Sequence, residues 1–234
     1  MKKNNLPLGM VFCAAAVLCM LTSCTDFFST SLASWAQRSP SSLIPGVTTG
    51  NVQDLIRTAE NDPELSLEVL KKIRDAANRA GPEAAARLQA AGLKAGVNAV
   101  DMGSSLVNSI GNMTDVGDPD EAKGMLVNTI NAMPNLAETG AVLSDLIPDP
   151  SNTAAFEAFT AAADLNDLAM AATVLLAADA KASGNSAAYI NAVDGTSSTV
   201  SGKVLALANA AKVKYDAGDG GGLVGDLLEG LGLV

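Results

Sequence analysis

Three thiols and no imidazole limit what this chain can do chemically: Cys13, Cys19 and Cys24 are its only cysteines, and none of its 234 residues is a histidine. The commonest general base near neutral pH and the commonest metal-ligating ring are therefore missing. Ser-His-Asp and Cys-His catalysis and zinc centres are excluded. Carboxylates are the remaining acid–base groups. Asp115, Asp118, Asp120 and Glu121 form one cluster, while Asp216 and Asp219 lead into the run Gly220-Gly221-Gly222. Such oxygens suit calcium, but a calcium loop between helices needs oxygens at alternating positions, a central glycine and a terminal glutamate. Neither stretch supplies that pattern, so helix capping accounts for the first cluster and a flexible linker for the second. A carboxylate pair could hydrolyse glycosides. That work calls for an aromatic-lined sugar cleft, and beyond residue 35 the only aromatics are Phe156, Phe159, Tyr189 and Tyr215. The glycine run also lacks the preceding strand and the lysine of a phosphate loop. The expectation is a protein that is no enzyme, holds no metal and needs no cofactor.

The thiol with an assignable chemistry is Cys24. Lys2 and Lys3 give the chain a positive start, and Leu8 to Leu21 form an apolar run broken only by Gly9. The run is too short for a membrane-spanning helix of roughly 20 apolar residues and has the layout of a secretory signal. Its closing residues, Leu21-Thr22-Ser23-Cys24, resemble the lipobox of bacterial lipoproteins, in which an aliphatic residue and two small ones precede an invariant cysteine. The resemblance implies that Leu21, Thr22 and Ser23 are read by the signal peptidase. It further implies diacylglyceryl transfer to the Cys24 thiol, cleavage before Cys24 and acylation of the new amino terminus. Several acyl chains anchor stably where a single one is marginal. Together with the acidic, histidine-free helical body described below, the signal resembles lipoproteins of spirochaete type. By the sorting rule of enterobacterial lipoproteins, Thr25 after the cysteine favours the outer membrane over the inner one.

Loss of residues 1–23 removes two of the 15 basic residues and none of the 25 acidic ones, so the mature part is more acidic than the whole chain's −10. Binding to nucleic acid or anionic lipid by clustered cations is disfavoured, because the basic side chains are scattered. With Cys13 and Cys19 gone and Cys24 lipidated, no disulfide framework is possible. About 210 residues suffice to bury a core without such staples. Residues 24–50, rich in Ser and Thr and interrupted by Pro40 and Pro45, read as the lipidated cysteine and its tether. Within the tether, Phe27, Phe28, Leu32 and Trp35 share one helical face. They either sit at the membrane interface beside the lipid or fold back onto the first helices.

From Asn51 onward the apolar spacing is helical and no sustained alternation of period two occurs. Val52, Leu55, Ile56 and Ala59 form the first stripe. Asp-Pro pairs at 62, 118 and 149 are the expected helix starts, combining a capping carboxylate with a proline at the first helical position. Leu65, Val69, Ile73, Ala76 and Ala80 mark the face of the helix after Asp62, which stops at Gly81-Pro82. A long segment from Glu83 to about Met113 carries Gly92, Gly96 and Gly103, and a break near Gly103 would split it in two. Glycine at that density weakens a helix by roughly 1 kcal/mol each, which points to close approach by a neighbouring helix. Lys94 rules out reading Gly92 and Gly96 as a membrane motif. Further stripes follow: Leu126, Ile130 and Met133; Leu136, Gly140, Leu143 and Ile147; Phe156, Phe159 and Ala163; Leu165 to Leu175; and Val200 to Ala211.

The fold expected is all-α, an irregular multi-helix bundle or a short α-solenoid of helical hairpins over residues 51–215. The unequal spacing of the Asp-Pro pairs argues against a regular repeat near 34 residues. Residues 216–234 read as a glycine-rich hinge and a short apolar helix. The function expected first is that of a lipid-anchored, non-catalytic scaffold or adaptor for an envelope protein partner, and the alternative is a periplasmic binding component holding a small apolar ligand or lipid between alanine- and glycine-lined helices. Both place the domain in the bacterial envelope, facing the periplasm or the exterior. Cys24→Ala is expected to block lipidation and release the protein from membranes. Detergent-phase partitioning checks this, and a variant that still enters the detergent phase would overturn the anchoring.

Overall fold

A computed structural model of the chain describes residues 44–102, 119–192 and 201–218. The chain divides into two units, residues 1–43 and 44–234, of which the first lies outside the described residues. The described part of the second contains nine helices and no strand.

The first helices follow from short-range chemistry. The Asn51 side chain accepts from the Thr48 N–H at 2.8 Å and donates to the Gly46 carbonyl at 2.8 Å, which fixes the turn into α1 (Val52–Ala59). Ile44, at the end of the expected tether, is buried, and its carbonyl accepts from Lys72 Nζ. Asp62 caps α2 (Pro63–Ala77) by accepting from the Leu65 N–H at 3.0 Å, with Pro63 at the first helical position. The buried Ser66 hydroxyl donates to the Ala59 carbonyl at 2.7 Å, tying α2 to the last turn of α1. The core face of α2 therefore includes Ser66, Leu67, Val69, Leu70, Ile73 and Ala77, rotated from the expected stripe, in which Leu65, Ala76 and Ala80 are only partly buried.

Gly81 precedes α3 (Pro82–Ala99), which does not run on unbroken towards Met113 but ends a few residues before Gly103, near the break expected as the alternative: Asp101 takes the left-handed conformation at φ 50° just beyond it. Residues 103–118 lie outside the described residues. The chain resumes with α4 (Pro119–Ala132) and α5 (Leu136–Leu146). Asn135 between them is also left-handed, at φ 52°, a conformation asparagine tolerates better than most residues. Its side-chain amide donates to Ala99 O, one of the terminal carbonyls that α3 cannot satisfy itself.

The third Asp-Pro start is corrected by the structure. The Asp149 carboxylate accepts from the Ser151 N–H at 2.8 Å and builds a turn, and Asn152 supplies the cap of α6 (Thr153–Ala162) three residues later. After it come α7 (Leu165–Ala182), the seven-residue α8 (Ser186–Ala192) and α9 (Gly202–Asp216), the last capped by Ser201.

Two helices organise the packing. α3 lies against α1, α2, α5, α6 and α7, and α7 lies against α3, α4, α5, α8 and α9. Twelve of the 18 residues of α7 are buried, the pattern of a helix enclosed on most sides. A solenoid brings together only neighbouring hairpins, whereas α3 packs on α7 and α2 on α5, so the arrangement is an irregular bundle. Its core is aliphatic and alanine-rich, with Phe159 the single fully buried aromatic among the described residues, in tilted contact with Phe156 at 5.9 Å.

The glycines of α3 sit where a neighbour comes closest. A Cβ at Gly96 would stand 2.7–2.9 Å from three carbons of Leu143, and one at Gly92 would meet Leu146 and Ile73, so α5 rests on a side-chain-free strip of α3. Gly140 on α5 meets the Cβ of Ala178 on α7 in the same way. Lys71 of α2 bridges Glu138 of α5 at 2.8 Å and Glu68 at 2.7 Å, and these bonds, that to Glu138 foremost, hold its ammonium pKa above the usual value.

Opposite signs are expected for two glycine substitutions. At Gly140 the atom in the way is fixed to the α7 backbone, so Gly140→Ala must push the helices apart and cost about 1–3 kcal/mol despite the gain in helix propensity. Gly124 in α4 has open space, and Gly124→Ala is expected to stabilise by up to about 1 kcal/mol. Urea denaturation of both variants checks the pair.

Candidate ligand cleft

The residues expected to act at the amino terminus, Leu21, Thr22, Ser23 and Cys24 with Phe27, Phe28, Leu32 and Trp35, lie outside the described residues, as do Asp115, Asp118, Asp219 and residues 219–234. Asp216 closes α9 in an ion pair with Lys212 at 3.2 Å. Among the described residues no group of three or more carboxylates, cysteines or histidines is placed to hold a metal ion.

A cleft of about 660 Å³, broadly open to solvent along one side, runs between α5 and α7, and its volume falls inside the ordinary range for small-molecule sites. Helical spacing makes its walls. Ala137, Ala141 and Ser144 recur at i, i+4 and i+7 on α5; Leu175, Ala178, Asp179 and Ala182 recur at i, i+3, i+4 and i+7 on α7. Gly140, Leu175 and Ala178 are buried and form its floor, whereas Ala137, Ala141 and Ala182 are exposed along its rim. One end is closed by Asp149-Pro150 and by the start of α9, Ser201 to Lys203.

Three charged residues line this space, and two are already engaged. Lys203 Nζ donates to Ile147 O at 2.8 Å and to Ser144 O, placing a cation on the carbonyl end of α5, where the helix dipole favours it. Asp149 is held below the ordinary carboxylate range, first by the Ser151 N–H and then by the Ser151 hydroxyl. Asp179 is partly buried in the apolar wall, and that burial pushes its carboxyl up, opposed only in part by the hydroxyl of Ser201. The phenol of Tyr189 on α8 is raised by burial and by the Asp179 charge. Neither Asp179 nor Lys203 was singled out from the sequence. The available signal was one acid inside the alanine run of α7, at helical spacing from Leu175 and Ala182.

A second group of charges surrounds the start of α7. Asp164, Asp167, Lys94 of α3 and Lys214 of α9 border one polar groove of about 410 Å³, and Arg87 borders a neighbouring one of about 330 Å³. Arg87 pairs with Glu83 at 2.7 Å, and Asp167 makes no ion pair within 4 Å among the described residues. Burial, then the Asp164 charge, pushes the Asp167 carboxyl up to about 6, with Lys94 acting in the opposite direction.

Comparison with known proteins finds no matching family, no matching curated protein and no matching solved structure.

The raised carboxyl of Asp167 gives a signed pH dependence. Because the folded state holds this proton up to about pH 6 and the unfolded state releases it near 3.8, the ionised group destabilises the fold increasingly across that window and constantly above it. Asp167→Asn is expected to melt higher than wild type at pH 7.5, with the difference vanishing towards pH 4. Loss of a favourable charge in the first turn of α7 subtracts about 0.3–1 kcal/mol from the gain. Thermal melts at both pH values check it.

Proposed function

We propose that the chain is a lipid-anchored, non-catalytic protein of the bacterial envelope whose helical domain holds a small apolar ligand or lipid between α5 and α7. The cleft carries this reading: about 660 Å³ of space floored by glycine, alanine and leucine, with a few polar groups gathered at one end. Anchoring rests on Leu21-Thr22-Ser23-Cys24 and the apolar run before it. The absence of histidine from the whole chain supports a role without catalysis. A scaffold for protein partners would call for an exposed apolar face. Among the described residues Val213 is the single large hydrophobic side chain that stands exposed.

The rim alanines allow a test that spares the core. Ala141→Trp and Ala137→Trp place an indole in the cleft from exposed positions. Wild-type protein is expected to bind N-phenyl-1-naphthylamine with enhanced fluorescence, and each variant to bind it at least tenfold more weakly with an unchanged melting temperature. Equal binding by wild type and variants, or no binding by wild type, would overturn the cleft as the site and return the scaffold reading to first place.

A further inference from the structure

We propose that the occupant of this cleft is a small amphipathic cation, a primary alkylammonium compound whose charged head meets Asp179 while its aliphatic part lies along the Gly140, Ala141 and Ala178 surface. The inference rests on the cleft reading above and adds the chemistry of the head group.

The charge balance inside the cleft supports it. The ammonium of Lys203 is turned onto the Ser144 and Ile147 carbonyls, so the one lysine lining the cleft is occupied by the end of α5. Asp149 accepts from the Ser151 N–H through one oxygen and stands exposed to solvent, so its charge is already hydrated, in contrast to the half-buried Asp179. Asp179 lines the cleft half-buried and makes no ion pair within 4 Å among the described residues, although an ionised carboxylate has about four lone-pair sites to fill. A partly buried carboxylate on an alanine wall loses solvation that an arriving cation restores. An anionic head would meet two carboxylates and a lysine already satisfied. Long-range attraction has the same sign, since the whole chain carries a net charge of −10.

The lining also selects among cations. Quaternary ammonium groups are held by aromatic faces, and no aromatic residue lines this cleft. Hydrogen-bond acceptors are what it offers: the Asp179 carboxylate and the hydroxyls of Ser201 and Ser144. A primary ammonium brings three donors to such a set, and a trimethylammonium group brings none.

The experiment is isothermal titration of the full chain in phosphatidylcholine nanodiscs at pH 7, with empty discs subtracted. The probes are octylamine, octanol, octanoate and octyltrimethylammonium. Octylamine is expected to bind at least tenfold more tightly than each of the other three, and Asp179→Asn to reduce its advantage over octanol to near unity. Ala141→Trp, which fills the cleft, should abolish the heat. Octanol, octanoate or octyltrimethylammonium binding as tightly as octylamine would overturn the head-group assignment while leaving the apolar cleft standing. Absence of binding by all four would overturn both. The comparison among probes in wild type decides the matter even if Asp179→Asn fails to fold.

Discussion

Close contact along α5 is the constraint on which the rest of the bundle depends. This helix is held between α3 and α7 at separations that leave no room for a Cβ at Gly92, Gly96 or Gly140. Each of those glycines sacrifices about 1 kcal/mol of helix propensity, and the return is a long strip of dispersion contacts between backbones and the side chains of Leu143, Leu146 and Ala178. Alanine-rich helices cannot interlock through large side chains. They gain contact by approaching one another, which explains a core of many small residues and one buried phenylalanine.

The same proximity shapes the cleft. Where α5 and α7 touch at Gly140 and Ala178, the short side chains on either side leave a furrow that larger residues would fill. α9 is held by burial of Val204, Leu207, Ala208 and Ala211, chiefly against α7, and its first residues reach the end of that furrow, where Lys203 donates to carbonyls of Ser144 and Ile147 and Ser201 caps its own helix. Packing sets the walls and places α9, and hydrogen bonding closes the end.

Much of the helical order could be read from the sequence because the signals were local. Asp62-Pro63 starts a helix as expected, Pro119 begins another, and Gly92 and Gly96 mark a close approach. Asp149-Pro150 misled because a capping carboxylate can also close a turn, and the Ser151 N–H competes successfully for it. The face of α2 was displaced because Ser66 counts as polar in a sequence yet is buried here with its hydroxyl bonded to Ala59. The cleft was out of reach for a different reason. Its depth is set by how two helices distant in the chain lie against each other, and no spacing within either helix specifies that distance.

The contact between α3 and α7 also bears on the order in which the domain can be completed. Residues 82–99 have buried alanines and leucines on several sides, but the helix that covers part of that surface begins only at Leu165. A chain emerging from its amino terminus therefore presents an unfinished apolar helix until most of the domain has been released. More than sixty residues separate the end of the one helix from the start of the other, a delay of roughly 3–13 s at about 5–20 residues per second of synthesis.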